Sequence, residues 1–257
     1  MNIGIIGRGI VGDAVYHGLA QIGNDLSYYD IKDSATSINN VIKSDIIFVC
    51  VPTMAGDRGD CDTSIVFDIV DQLNCLDYPG IVSIKSTIIP GTTDALINKY
   101  PKLKLCHVPE FLRQKSSFSD FFDSHDILIV GTDDLQVADK IIQAHRFIPK
   151  SISVVTPIEA EITKYFNNVH NAMEIVFANT MHEMCEKLGA DYQAVLSAIG
   201  KRNNINISYL KCSKFYQGYG GRCLPKDIQA WTNLANKLNV DANLYKAIIK
   251  DNERYLK

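Results

Sequence analysis

The chain opens with a short apolar run, Asn2 to Ile6, and passes straight into Gly7-Arg8-Gly9-Ile10-Val11-Gly12. A G-x-G-x-x-G segment between a strand and a helix narrows the fold sharply, because each glycine has its own geometric task. Gly7 makes the tight turn, Gly9 lets a pyrophosphate approach the backbone, and Gly12 lets the helix pack closely on the strand. Gly7, Gly9, Ile10, Val11 and Gly12 are therefore a candidate dinucleotide cradle. The alternative is a glycine turn in an unrelated strand-to-helix connection.

The chain beyond the turn favours the first reading. Short apolar strands are expected at Asn2–Ile6, Leu26–Asp30, Ile46–Val51, Ile81–Lys85, Lys104–Val108, Ile127–Val130 and Ser153–Val155. Helical patterns lie between most of them, as at Ile10–Ile22, Thr63–Leu73 and Thr92–Lys99. Strand and helix in alternation imply a doubly wound, Rossmann-like α/β domain with a parallel sheet covered on both faces. Asp30 ends the second strand, about 20 residues past the glycines, where a carboxylate accepts ribose hydroxyls and repels a 2′-phosphate. That selects NAD over NADP. Pro52 and Thr53 follow the third strand at the edge where such sheets bind cofactor, although Thr53 is equally suited to a turn.

After Pro157 the pattern changes. From Ile158 to Leu188 there is no Gly or Pro, and Ile162, Tyr165, Phe166, Val169, Met173, Val176, Phe177, Met181 and Met184 recur at helical spacing, predicting one long helix. Shorter helices are expected at Tyr192–Ile199, Ile228–Leu238 and Asn243–Leu256. We therefore divide the chain into an NAD-binding domain, residues 1–155, and an all-helical domain, 156–257. The stretches Met54–Asp60 and Asn203–Arg222 read as the most irregular.

Composition excludes several classes. A net charge of −3, from 26 basic and 29 acidic residues, carries no nucleic-acid signature. No apolar run approaches the roughly 18 to 20 residues that span a bilayer. The start lacks a charged n-region and a cleavage site, so the expected location is the cytoplasm. Seven cysteines without a C-x-x-C pair argue against a disulfide framework or a zinc site, and the histidines show no ligand spacing, so no metal is expected.

The other concentrated signal is Gly220-Gly221-Arg222-Cys223-Leu224-Pro225-Lys226-Asp227. A thiol beside a cation is held as thiolate, the form that attacks carbonyls, and Lys226 is the expected cation. A buried structural cysteine is the competing interpretation.

The fingerprint with Asp30, then Lys85-Ser86-Thr87-Ile88-Ile89-Pro90-Gly91-Thr92, Pro109-Glu110-Phe111-Leu112-Arg113, Lys164 with Asn168, and the Cys223 octapeptide stand in the order seen in the UDP-glucose/GDP-mannose dehydrogenase family, which this chain resembles along essentially its whole length. The matching segments correspond to that family's NAD-binding and central dimerisation domains. Its third, nucleotide-binding domain has no counterpart here, and a short form is expected.

The resemblance implies oxidation of a nucleotide-sugar C6 alcohol to a carboxylate with two NAD, through a thiohemiacetal and a thioester on Cys223. It makes Lys164 and Asn168, four apart on one helix face, the groups that meet the reacting oxygen. Glu110 becomes the base that activates water against the thioester, with Thr87 and Asp227 positioning it and Thr87 also beside the cofactor. Glu110 and Thr87 alone could be a solvated loop carboxylate and a turn residue. Substrate contacts implied are Glu110, Phe111, Leu112, Lys164, Asn168, Tyr209, Gly220 and Arg202, the last equally readable as a solvated charge. Between Asn203 and Gly218 the match is loose, and Lys214 to Gln217 space the loop differently. Gln114 stands where relatives often carry a second glutamate; it cannot accept a proton near neutral pH, which leaves Glu110 or water to do so. The long helix is expected to pair with its counterpart in a homodimer. Two other readings remain: a two-electron hydroxy-acid dehydrogenase on the related fold, and a catalytically idle NAD-binding subunit.

Overall fold

The structure, a computed structural model, describes residues 1–56, 59–213 and 215–256. Asp57 and Arg58 of the Met54–Asp60 stretch, Lys214 of the loosely matching loop, and Lys257 lie outside the described residues. Two compact units are present: Met1–Met54 with Asp62–Lys164, and Ala55–Cys61 with Tyr165–Lys257.

In the first unit the described strands and helices alternate as β1 (Asn2–Ile6), α1 (Ile10–Gln21), β2 (Asp25–Tyr29), β3 (Ile46–Val49), α2 (Ser64–Cys75), β4 (Ile81–Ile84), α3 (Thr92–Lys99), β5 (Lys104–His107), α4 (Ser117–Phe122), β6 (Ile127–Gly131), α5 (Leu135–His145) and β7 (Ser151–Val155). They form one sheet in the order β2-β1-β3-β4-β5-β6-β7. Every residue of β3 and β4 is buried, as strands covered on both faces require. Their side chains alternate between two cores. Ile46 and Phe48 pack with α1, α4 and α5, while Ile47 and Val49 pack with α2 and α3.

One strand pairing departs from the expected parallel sheet: β5 and β6 meet antiparallel, at His107 and Gly131, and β7 follows β6. A parallel return needs a crossover helix lying over the sheet. Here the connection instead carries the short α4, whose fully buried Phe121 fits a notch at Gly18 of α1, where a Cβ would fall 2.3 Å from its ring.

The chain continues as α6 (Pro157–Leu188), α7 (Tyr192–Ile199), α8 (Leu224–Lys237) and α9 (Asn243–Tyr255). The turns of α6 through Lys164 belong to the first unit and the remainder to the second. Val169, Ala172 and Val176 pack with Tyr219, Ile228 and Ile248, and farther along Ala178 and Cys185 pack with Tyr192, Leu196 and Leu210. Another face of α6 leaves Phe166, Met173, Phe177, Met184 and Leu188 exposed at spacings of seven and four. Helix α8 begins four residues earlier than expected, because Pro225 sits in its first turn, where a missing N–H costs nothing. Among the described residues no helix is long and apolar enough to cross a membrane.

Candidate active site

The first unit collects its candidate residues at one edge of the sheet. Gly7–Gly12 follow β1, Asp30 follows β2, Pro52 and Thr53 follow β3, Thr87 follows β4, and Glu110, Phe111 and Leu112 follow β5. These are the carboxyl ends of five neighbouring parallel strands, where open α/β sheets bind ligands. The chain winds one way from β1 to β2 and the other way from β1 to β3, so the switch point lies at the glycine turn.

The turn has the geometry its glycines suggested. Gly7 adopts φ +90°, and a Cβ there would lie 2.8 Å from the Cys50 carbonyl oxygen. At Gly12 a Cβ would fall 1.9 Å from the oxygen of Gly7, so only glycine lets α1 start this close. Gly9, the residue capping α1, faces open space, with nothing within 4 Å of a Cβ position. Asp30 Oδ2 accepts the Arg8 N–H at 2.6 Å and Oδ1 accepts the Lys32 N–H at 2.8 Å. Each oxygen keeps a second lone pair for a ribose hydroxyl. The residues present thus fit NAD: a glycine-lined helix N-terminus for the diphosphate and a fixed carboxylate for the ribose.

Sequence reasoning missed the role of Arg8, whose guanidinium lies 4.1 and 4.7 Å from the centroids of Tyr16 and Tyr28 and pairs with Asp13. Nothing local signals it, since tyrosines 12 residues apart in the chain meet only where α1 lies against β2.

Glu110 is 6% exposed and Lys85, at the end of β4, is 3% exposed; their side chains form a buried ion pair. Lys164 Nζ donates to the Glu110 carbonyl oxygen at 2.5 Å and lies 5.4 Å from the centre of the Phe111 ring. Sequence reading included Lys85 in a motif without giving it a task; the pairing is visible only once β4 and β5 lie side by side. Beneath them, His107 is fully buried, and burial, reinforced by Lys85 and Lys164, drives its pKa down to about 3. A further unforeseen contact is Glu161 on α6, which accepts the Thr93 N–H at 2.8 Å and its hydroxyl at 2.6 Å and also accepts the Gly91 N–H. It supplies the N-terminal cap that Gly91 cannot give α3. Gln114 is exposed, in a short 3-10 turn.

In the second unit Cys223 is exposed and is the N-cap of α8, so the residue stands at the positive end of the helix dipole. Asp227, one turn on, is 1% exposed. Its Oδ2 accepts the Asn168 side-chain N–H at 2.5 Å, and Lys226 Nζ lies 2.6 Å from Oδ1. Lys226 also reaches Cys61 Sγ at 3.6 Å. Burial opposes the Lys226 charge, but Asp227 and then Cys61 outweigh it and raise the pKa. The contacts of Lys226 are thus with Asp227 and Cys61, and the expected action of Lys226 on Cys223 is not among them. Helix α8 starts at Leu224, with Lys226 reaching Asp227 and Cys61 and Cys223 standing at the helix terminus.

The approach to Cys223 is fixed from α9, whose Asn252 side chain accepts the Tyr219 N–H at 2.7 Å and donates to its carbonyl at 2.9 Å. Gly220 and Gly221 are exposed, with nothing near their Cβ positions. Arg202 is exposed and bonds Asn204 at 3.3 Å, and Tyr209 is half-buried. Among the described residues no three His, Cys, Asp or Glu side chains gather as a metal would need.

Two family models match this chain: the NAD-binding domain of the UDP-glucose/GDP-mannose dehydrogenase family over residues 32–148 and the family's central domain over 158–254. The chain belongs to that family. Its first unit is the family's NAD-binding domain, and the cofactor is NAD. UDP-glucose 6-dehydrogenase of Rickettsia prowazekii is 31% identical over 223 residues, covering 81% of this chain and 49% of that protein. This chain therefore spans about half the length of the curated relatives it matches. A UDP-glucose dehydrogenase from Pyrobaculum islandicum superposes with a TM-score of 0.88 at 24% identity, covering 98% of this chain and 68% of that one. The 3-hydroxyisobutyrate dehydrogenase of Mycobacterium tuberculosis superposes at 0.78 with 14% identity, covering 97% and 91%. Those two likenesses show the shared fold.

Proposed function

We propose that this chain carries the cofactor-binding and covalent chemistry of a nucleotide-sugar 6-dehydrogenase, taking a C6 alcohol to a carboxylate with two NAD. The observation that carries this reading is an exposed Cys223 at the N-terminus of α8, one turn from the buried Asp227 that Asn168 and Lys226 hold in place. A single hydride transfer has no use for such a thiol. An aldehyde does: addition of the Cys223 sulfur gives a thiohemiacetal, a carbon that can again lose a hydride, and the product is a thioester.

In this reading Lys164 and Asn168 stabilise charge on the reacting oxygen, a contribution whose loss costs about 100-fold or more. Glu110 takes the proton of the attacking water, with Thr87 and Asp227 positioning it, so that the C–S bond breaks and Cys223 leaves as thiolate. NAD, held by Gly7, Gly9, Ile10, Val11, Gly12, Asp30, Pro52, Thr53 and Thr87, supplies the hydride acceptor. Phe111, Leu112, Tyr209, Gly220 and Arg202 complete the substrate contacts. A second copy of the chain covers the exposed apolar stripe of α6.

One observation favours a second reading, two-electron oxidation of a small hydroxy acid: the fold of the two units here covers 91% of a 3-hydroxyisobutyrate dehydrogenase chain. Incubation with NAD and a panel of nucleotide sugars and hydroxy acids, followed by mass spectrometry, separates the two. An adduct on Cys223 with a nucleotide sugar supports the first reading; turnover of a hydroxy acid without any adduct contradicts it.

A further inference from the structure

Glu110 is buried, and a base that works in a dry site must be kept ionised there. Titratable groups coupled to Lys85 or Glu110 are Cys50, Cys106, His107 and His145. Cys50, at the end of β3, has its thiol pushed up to about 12 by burial, with Lys85 opposing and Glu110 reinforcing. Cys106 on β5 is also pushed up to about 12 by burial, with Lys85 opposing. His107 on β5 is driven down to about 3 by burial, then by Lys85 and Lys164, and His145 of α5 falls well below its ordinary value by burial and then Lys85. All four are neutral at pH 7. Charges that meet here are Glu110, Lys164, whose Nζ donates to the Glu110 carbonyl oxygen, and Lys85, whose buried ammonium meets the carboxylate at Oε1.

We propose that Lys85 is the positioning residue for Glu110: by binding Oε1 from the adjacent strand end it keeps the buried carboxylate ionised and aims Oε2 as the proton acceptor. The proposal rests on the role given to Glu110 under the proposed function. Lys85 itself takes no proton and touches no substrate. The ammonium stays an ammonium, and Glu110 alone changes charge when water gives up its proton. A surface lysine would be screened by water; at 3% exposure Lys85 is screened far less.

The test reads Glu110 directly. Isotope-edited infrared difference spectra, with Glu110→Gln as the reference, should show only carboxylate at pH 7 in the parent and a protonated carboxyl in Lys85→Met. Lys85→Arg, which keeps the charge, should restore the carboxylate. In Lys85→Met the rate of acid formation should fall at least tenfold at pH 7 and recover as pH rises, with KM for NAD unchanged; a structural role alone would lower it equally at every pH. An ionised Glu110 in Lys85→Met overturns the proposal. Should that variant not fold, Lys85→Met/Glu110→Met should fold, and a double variant as unstable as the single one also overturns it. Absence of any Cys223 adduct in the parent would instead defeat the functional reading and leave the infrared result standing.

Discussion

Asn168 and Asp227 illustrate how much one hydrogen bond can carry in this protein. Asp227 is all but excluded from solvent and takes its Oδ2 bond from Asn168, which is itself 5% exposed. Asn168→Ala should lower oxidation about 100-fold or more while NAD binding, followed by fluorescence quenching, stays unchanged. His107 makes a different prediction. Its folded pKa is about 3 against an ordinary 6.5, so below pH 6.5 the unfolded chain holds a proton that the fold refuses. Stability should fall as pH drops from 6.5 toward 3, by about 1.4 kcal/mol per pH unit for each such histidine. His145, also buried and neutral, adds to that slope. Urea titrations across that window should show a slope shallower by one proton in His107→Leu. Motif reading found Asn168, Asp227, Glu110 and Cys223 because each sits in a compact sequence segment. It could not find Lys85 against Glu110, or turn Lys226 toward Cys61, because those contacts join segments far apart in the chain.

At the level of elements, the strands were legible because buried parallel strands are near-continuous apolar runs bounded by turn residues. The direction of β6 was not, since direction depends on how α4 packs, and that depends on Phe121 finding Gly18. The start of α8 was misplaced for a related reason: a Gly-Gly pair followed by proline reads as loop, whereas proline in a first turn is favourable. That shift matters chemically, because it sets Cys223 at the positive end of a helix. Helix α3 depends on a cap from outside itself. Removing the carboxylate in Glu161→Ala should cost about 1 to 3 kcal/mol in chemical denaturation, because Thr93 and Gly91 lose their acceptor. Burial raises the Glu161 pKa against the opposing Thr93 and Gly91 bonds, so Glu161→Gln should lose less than Glu161→Ala.

For the molecule as a whole, the stripe of Phe166, Met173, Phe177, Met184 and Leu188 on α6 predicts self-association. Sedimentation velocity should find a dimer, and Phe177→Glu with Met184→Glu should give monomers that still bind NAD; a monomeric parent at micromolar concentration would contradict the pairing. The central claim is the covalent four-electron chemistry, and counting cofactor tests it most directly. NADH formed per molecule of carboxylate product, measured by absorbance against mass-spectrometric product yield, should be two with the parent chain, and Cys223→Ala should form no carboxylate. One NADH per substrate, with Cys223→Ala as active as the parent, would contradict it.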